Sequence, residues 1–140
     1  MGIGRGPEQP TAAHAHHAFV ITLSLESGIA FSEHEGIWRE LPGAVVVPDR
    51  PHAFAARGQL FAVIFLDPET REGLWLGRSL RETLNPVVPE KIARELDAPR
   101  RFWSEPPGAD ETARLVLAIV RRMCVGPPPI RPLDEGIVRA

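Results

Sequence analysis

Five histidines and one cysteine are the residues of this chain best suited to metal or nucleophile chemistry. His14, His16 and His17 crowd ahead of an alternating apolar stretch, and His52 follows the turn Pro48-Asp49-Arg50-Pro51. An H-x-H pair with a third, distant histidine can set three imidazoles around a divalent metal, since alternate strand residues share a face and neutral imidazole is a good donor. The candidate ligands are therefore His14, His16 and His52. Register tells against the pair. Extended as a strand, the His14/His16 face continues as Ala18, Val20, Thr22 and Ser24, whereas His17 leads the more apolar face of Phe19, Ile21 and Leu23. If the apolar face lines the interior, His17 looks inward and the pair looks out. The expectation is then solvated or hydrogen-bonded histidines and no bound cofactor.

No other constellation points to catalysis. No G-x-S-x-G places a serine on a nucleophile elbow. Cys124 falls in an apolar helical stretch, where a buried and inert thiol is expected. As the single cysteine it has no internal disulfide partner, which suggests a reducing cytoplasm. Gly2-Ile3-Gly4-Arg5-Gly6 has no strand ahead of it and reads as a loose terminus, not a phosphate loop. Trp38, Trp75 and Trp103 could wall a pocket, while Phe54, Phe61 and Phe65 read most simply as core. No residue is assigned as catalytic.

The elements that would position these residues change character near residue 68. Before it the period is two. Strands are predicted over Phe19–Leu25, Ile29–Phe31, Ile37–Leu41, Ala44–Val47, His52–Ala56 and Leu60–Leu66, with turns at Glu26-Ser27-Gly28, Pro42-Gly43 and Arg57-Gly58. Short strands at roughly eight-residue spacing suggest an antiparallel barrel or sandwich. After Asp67-Pro68 the spacing is helical: Glu69–Leu84, Pro89–Leu96, and a third helix with Asp110 as N-cap and Arg121 and Arg122 in its last turn. That helix is apolar nearly all round at residues 115–120, so it needs cover on two sides, from its own domain or from a partner subunit. Asp134 reads as the N-cap of a helix barely begun at Ala140, which suggests a chain cut at the start of another domain.

Composition bounds the class. The 140 residues are 44% apolar and 24% charged, ordinary values for one globular domain. Fifteen prolines and 12 glycines argue against an all-helical bundle. No apolar run approaches the roughly 18 residues of a membrane span. Sixteen basic residues against 18 acidic ones leave a net charge of −2, unlike a nucleic-acid-gripping domain.

Three segments together carry a resemblance: His14-Ala15-His16-His17-Ala18-Phe19, Gly43 to Ala53, and Leu66-Asp67-Pro68-Glu69. They resemble the cupin-like N-terminal sensor domain of AraC-type transcriptional regulators. The tail Arg131 to Ala140 resembles the linker and first helix opening of that family's DNA-binding half. The resemblance implies a mainly β fold, a double-stranded β-helix (jelly-roll) barrel followed by a short helical region. It divides the chain into a flexible N-terminus at 1–13, a sensor barrel at 14–68, a packing and dimerisation region at 69–126, and a linker at 127–140. It implies a cytoplasmic homodimer that binds a small-molecule effector and meets DNA only through the missing half, with no membrane partner. His17, Phe19, Ile21, Trp38, His52 and Phe54 are the expected pocket residues. Leu115, Val116, Ile119, Val120 and Met123 are the expected dimer contacts. The rival is a small metal-dependent cupin enzyme, an isomerase or dioxygenase, using His14, His16 and His52. Against it, the acidic ligand of the metal-bearing cupins falls near Val20 or Ile21 here.

Overall fold

The computed structural model describes residues 1–34, 36–102, 104–105 and 107–129, so the expected second-domain start after residue 129 lies outside the described residues, as does Trp103. Among the described residues eight strands form: β1 (Gly2–Arg5), β2 (Phe19–Ser24), β3 (Ile29–His34), β4 (Ile37–Leu41), β5 (Gly43–Val46), β6 (Ala53–Ala55), β7 (Leu60–Leu66) and β8 (Leu84–Pro86). Helices α1 (Arg71–Ser79), α2 (Ala93–Phe102) and α3 (Ala109–Met123) complete the fold. The molecule is thus mainly β, with two antiparallel sheets.

Six strands match the alternating stretches of the sequence, and two do not. Gly2–Arg5, expected as part of a loose terminus, is templated by a neighbour: it lies antiparallel on the edge of β7, from Gly2 opposite Val63 to Arg5 opposite Leu60. Met1 and Ile3 pack on the core beneath. Leu84, expected at the end of a long helix, belongs instead to β8, which pairs with β5. α1 therefore stops at Ser79. It begins at Thr70, whose hydroxyl accepts the Gly73 N–H at 3.0 Å. A Cβ at Gly73 would lie 2.1 Å from the Asp67 carbonyl oxygen, so the helix can sit this close to the turn before it only with glycine there.

The later helices also shift from expectation. A 3-10 turn, Pro89–Lys91, precedes α2, which runs on through Pro99. Gly108, not Asp110, caps α3; Asp110 and Glu111 sit inside its first turn, where their charge suits the helix dipole, and Arg121 and Arg122 close its last turn.

Strand order is β1-β7-β2-β5-β8 in one sheet and β4-β3-β6 in the other. The larger sheet buries both faces. Phe19, Ile21, Leu23, Val45, Ile64 and Leu66 pack against Leu76, Ile92, Leu96, Ile119 and Val120 of the helical region. On its opposite face Ala44, Val46 and Leu84 meet Ile29 and Phe31 of the smaller sheet. The order is helices, five-stranded sheet, three-stranded sheet. This corrects the register argument: the more apolar face of β2 lies under the helices, and the Val20 face is the one turned toward the second sheet.

The β2–β3 turn is tied down electrostatically. The Glu26 carboxylate accepts the Leu60 N–H and pairs with Arg5 at 2.9 Å. The Leu60 amide, and secondarily Arg5, hold the Glu26 carboxyl below the usual carboxylate range. A lowered folded pKa stabilises fully above the unfolded value, and that contribution is lost as pH falls through the folded one. Glu26→Gln should therefore lower the urea midpoint near neutral pH, and the deficit should shrink as pH falls below the ordinary glutamate range. A deficit that stays constant across this range would contradict the assignment.

Candidate metal centre

The histidines are brought together by backbone pairing at the edge of the smaller sheet. The Thr11 N–H donates to the Phe54 carbonyl at 2.9 Å, and His14 and His52 exchange both N–H···O=C bonds at 2.9 Å. Directly opposed antiparallel residues of this kind hold their Cα atoms about 5.5 Å apart, so their side chains rise side by side. The turn between Pro48 and Pro51 returns the chain. Asp49 adopts a left-handed φ of 63°, a conformation aspartate tolerates better than most residues, and its N–H donates to the His16 carbonyl at 2.8 Å.

One ligand nitrogen from each of His14, His16 and His52 can be chosen so that all lie within 4.8 Å of one another. The His14 and His52 ring centroids are 4.7 Å apart, and His14 and His16 are 4.8 Å apart, edge to face. Two of the rings have their tautomers fixed. His14 Nδ1 is 2.8 Å from the Ala12 carbonyl oxygen and His52 Nδ1 is 3.2 Å from that of Arg50. A carbonyl only accepts, so both Nδ1 atoms carry hydrogen and both Nε2 lone pairs are left to bind. That is the usual orienting device of metal-ligating imidazoles. His52 is 4% exposed. Burial lowers its pKa from the ordinary imidazole value, with His14 and His16 pushing the same way against the Arg50 carbonyl. It is neutral at pH 7, as a ligand must be.

Three imidazoles suit zinc, iron, nickel or manganese, and leave coordination positions open for water or a ligand. His52 also walls a groove of about 340 Å³, shared with Thr11, Ser32, Glu33, His34 and Trp38, between the β3–β4 hairpin and residues 51–53. Phe65, 55% exposed, packs its ring 5.0 Å from that of His16. A larger hollow of 490 Å³ along α2 is shallow and rimmed by charges of both signs, Glu90, Arg94, Asp97 and Arg100, with no convergent ligand set.

The expected pocket residues scatter. His52 and Trp38, the latter 42% exposed, do meet in one groove. Phe19 and Ile21 do not; they are buried under the helices. Phe54 stacks on Phe61 at 5.5 Å within the core between the sheets. His17 is a correction. It points to solvent and pairs with Asp49 at 3.0 Å, which raises its pKa through that hydrogen bond. The physical reason is that β2 starts only at Phe19, so strand alternation does not extend back through residues 17 and 18.

Sequence reasoning missed Phe65 and Glu33. Phe65 read as core because β7 is apolar on both faces; the signal was its odd position, since Leu60, Ala62, Ile64 and Leu66 share the other face and are all buried. In the helical region Ile119 and Val120 are fully covered by the chain's own core, while Leu115, Val116 and Met123 are half-buried against it. Burial, then the Glu72 charge, pushes the Cys124 thiol up to about 11, so it is protonated and inert at neutral pH. No protein-family model and no curated protein sequence matches this chain.

Proposed function

We propose that this chain is a small-molecule-sensing domain of the AraC type, with a divalent metal on His14, His16 and His52 as the floor of its receptor site. The observation that carries the site is the convergence of three histidine nitrogens within 4.8 Å beside a groove. The regulator setting is supported by the sequence segments His14–Phe19, Gly43–Ala53 and Leu66–Glu69, and the two facing antiparallel sheets are compatible with a cupin-like barrel. A metal there supplies a Lewis-acidic anchor for an oxygen or nitrogen donor of the effector.

The signal has a route. β7 presents Phe65 to His16 on one face and Ile64 and Leu66 to the helical region on the other. Effector contact that favours one packing of β7 shifts the helical layer with it, which is a population shift between two arrangements. α3 carries that shift to a second copy through its half-buried Leu115, Val116 and Met123, and onward to a DNA-binding half.

A metal-dependent enzyme is the second reading, favoured by the coordination positions that three protein ligands leave open. Metal analysis of the dialysed chain tests the site. About one equivalent of zinc, iron, nickel or manganese per chain is expected; less than about a tenth of an equivalent, even after incubation with each metal, would refute it. Fusion to a DNA-binding domain that needs a dimeriser then separates the readings. Reporter output that responds to metal supports the sensor, whereas constant output from a metal-loaded fusion favours the enzyme.

A further inference from the structure

We propose that the groove beside the histidines selects small dipolar ligands, with an anionic oxygen directed to the metal and an ammonium group held by Glu33 and the Trp38 ring. The inference rests on the metal reading above and names the ligand class of that same site.

Among the described residues lining this groove, one carboxylate faces no lysine or arginine. At the His52 wall a divalent cation held by the three histidines would supply positive charge. Elsewhere in the lining stands the Glu33 carboxylate, half-buried, which takes part in no ion pair among the described residues. No arginine or lysine lines the groove among the described residues, so no side chain of fixed positive charge competes with the proposed metal for an anion. Trp38 adds an indole with 42% of its surface open. Tryptophan is the side chain that attracts a cation most strongly over its ring face. A purely apolar ligand would leave Glu33 desolvated and unpaired, which is costly, and a dianion would face its charge. A ligand with both charges satisfies the carboxylate and the proposed metal together. At 340 Å³ the groove is at the small end of ligand pockets, which span roughly 300–1,000 Å³.

The test uses isosteric pairs in which a methyl group replaces the ammonium: γ-aminobutyrate against valerate, and 5-aminovalerate against hexanoate. In both amines the charges are too far apart to close a favourable chelate ring on the metal, so the carboxylate alone serves it. Binding to the nickel-loaded chain is read by calorimetry, with nickel content measured in the same samples. The expected result is about tenfold tighter binding of at least one amine than of its isostere, falling to about equal affinity in Glu33→Gln with the isostere's own affinity unchanged. Trp38→Leu, at an exposed position, is the second variant and should lower the preference about threefold if Glu33→Gln does not fold. If nickel is held but the isosteres bind as well as the amines, or the preference survives both variants, the ligand class is wrong and the metal site stands. If the wild-type chain holds no nickel, the metal reading fails and takes this inference with it.

Discussion

His52→Ala should weaken zinc or nickel binding by more than about a hundredfold, because losing even an outer partner of a metal ligand costs 10–100-fold and the proposed centre makes His52 a ligand itself. Its neighbours make the effect specific. The Nδ1 hydrogen bond to the Arg50 carbonyl and the backbone pairing with His14 hold its ring beside those of His14 and His16. His17→Ala is the matched control. It lies next to His16 in sequence yet is turned to solvent against Asp49, so it should leave metal affinity within about twofold. Titration against a chromophoric chelator reads both. If His52→Ala binds as the wild type does, the three-imidazole centre is wrong. If His17→Ala is the variant that loses the metal, the strand-register argument was right and the observed facing is not.

That contrast shows how far the sequence reaches. Alternation located β2 to β7 because each carries an apolar set at period two, and the turns between them hold glycine or proline. It could not say which of two buried faces of β2 meets the helices, since Phe19, Ile21, Leu23 and Val20 are all apolar and all buried. The histidine register inherited that ambiguity. It was also carried two residues too far, through His17 and Ala18, where the chain is no longer strand. β1 was illegible for another reason. Gly-Ile-Gly-Arg has little strand propensity of its own, and its conformation comes from the free edge of β7. α1 was drawn too long because Leu80 and Leu84 continue a helical spacing, but Leu84 is recruited to the core between the sheets. The residue types of the candidate metal centre were legible. Their convergence was not, because it depends on the left-handed Asp49 and on one backbone pairing, neither of which leaves a mark on hydrophobic periodicity.

Ile119→Ala should destabilise the fold by about 2–5 kcal/mol, the usual cost of emptying a fully buried aliphatic site. Ile119 has no exposed surface and belongs to the core shared by the helices and the larger sheet, which cannot close over the space without moving whole elements. Urea unfolding checks the stability loss. Metal affinity of the variant, measured in conditions where it stays folded, carries a second lesson. The histidines lie on the far side of the larger sheet from Ile119, and a pure enzyme site there has no need to notice the change. A sensor does. If effector binding is linked to the helical layer through β7, loosening that layer must alter binding reciprocally, and allosteric couplings of 1–3 kcal/mol correspond to about 5–150-fold. A shift of at least about fivefold in affinity for metal or ligand is therefore expected of the sensing domain. An affinity unchanged while stability falls by several kcal/mol would uncouple the two faces of the sheet, and would move the enzyme reading ahead of the regulator.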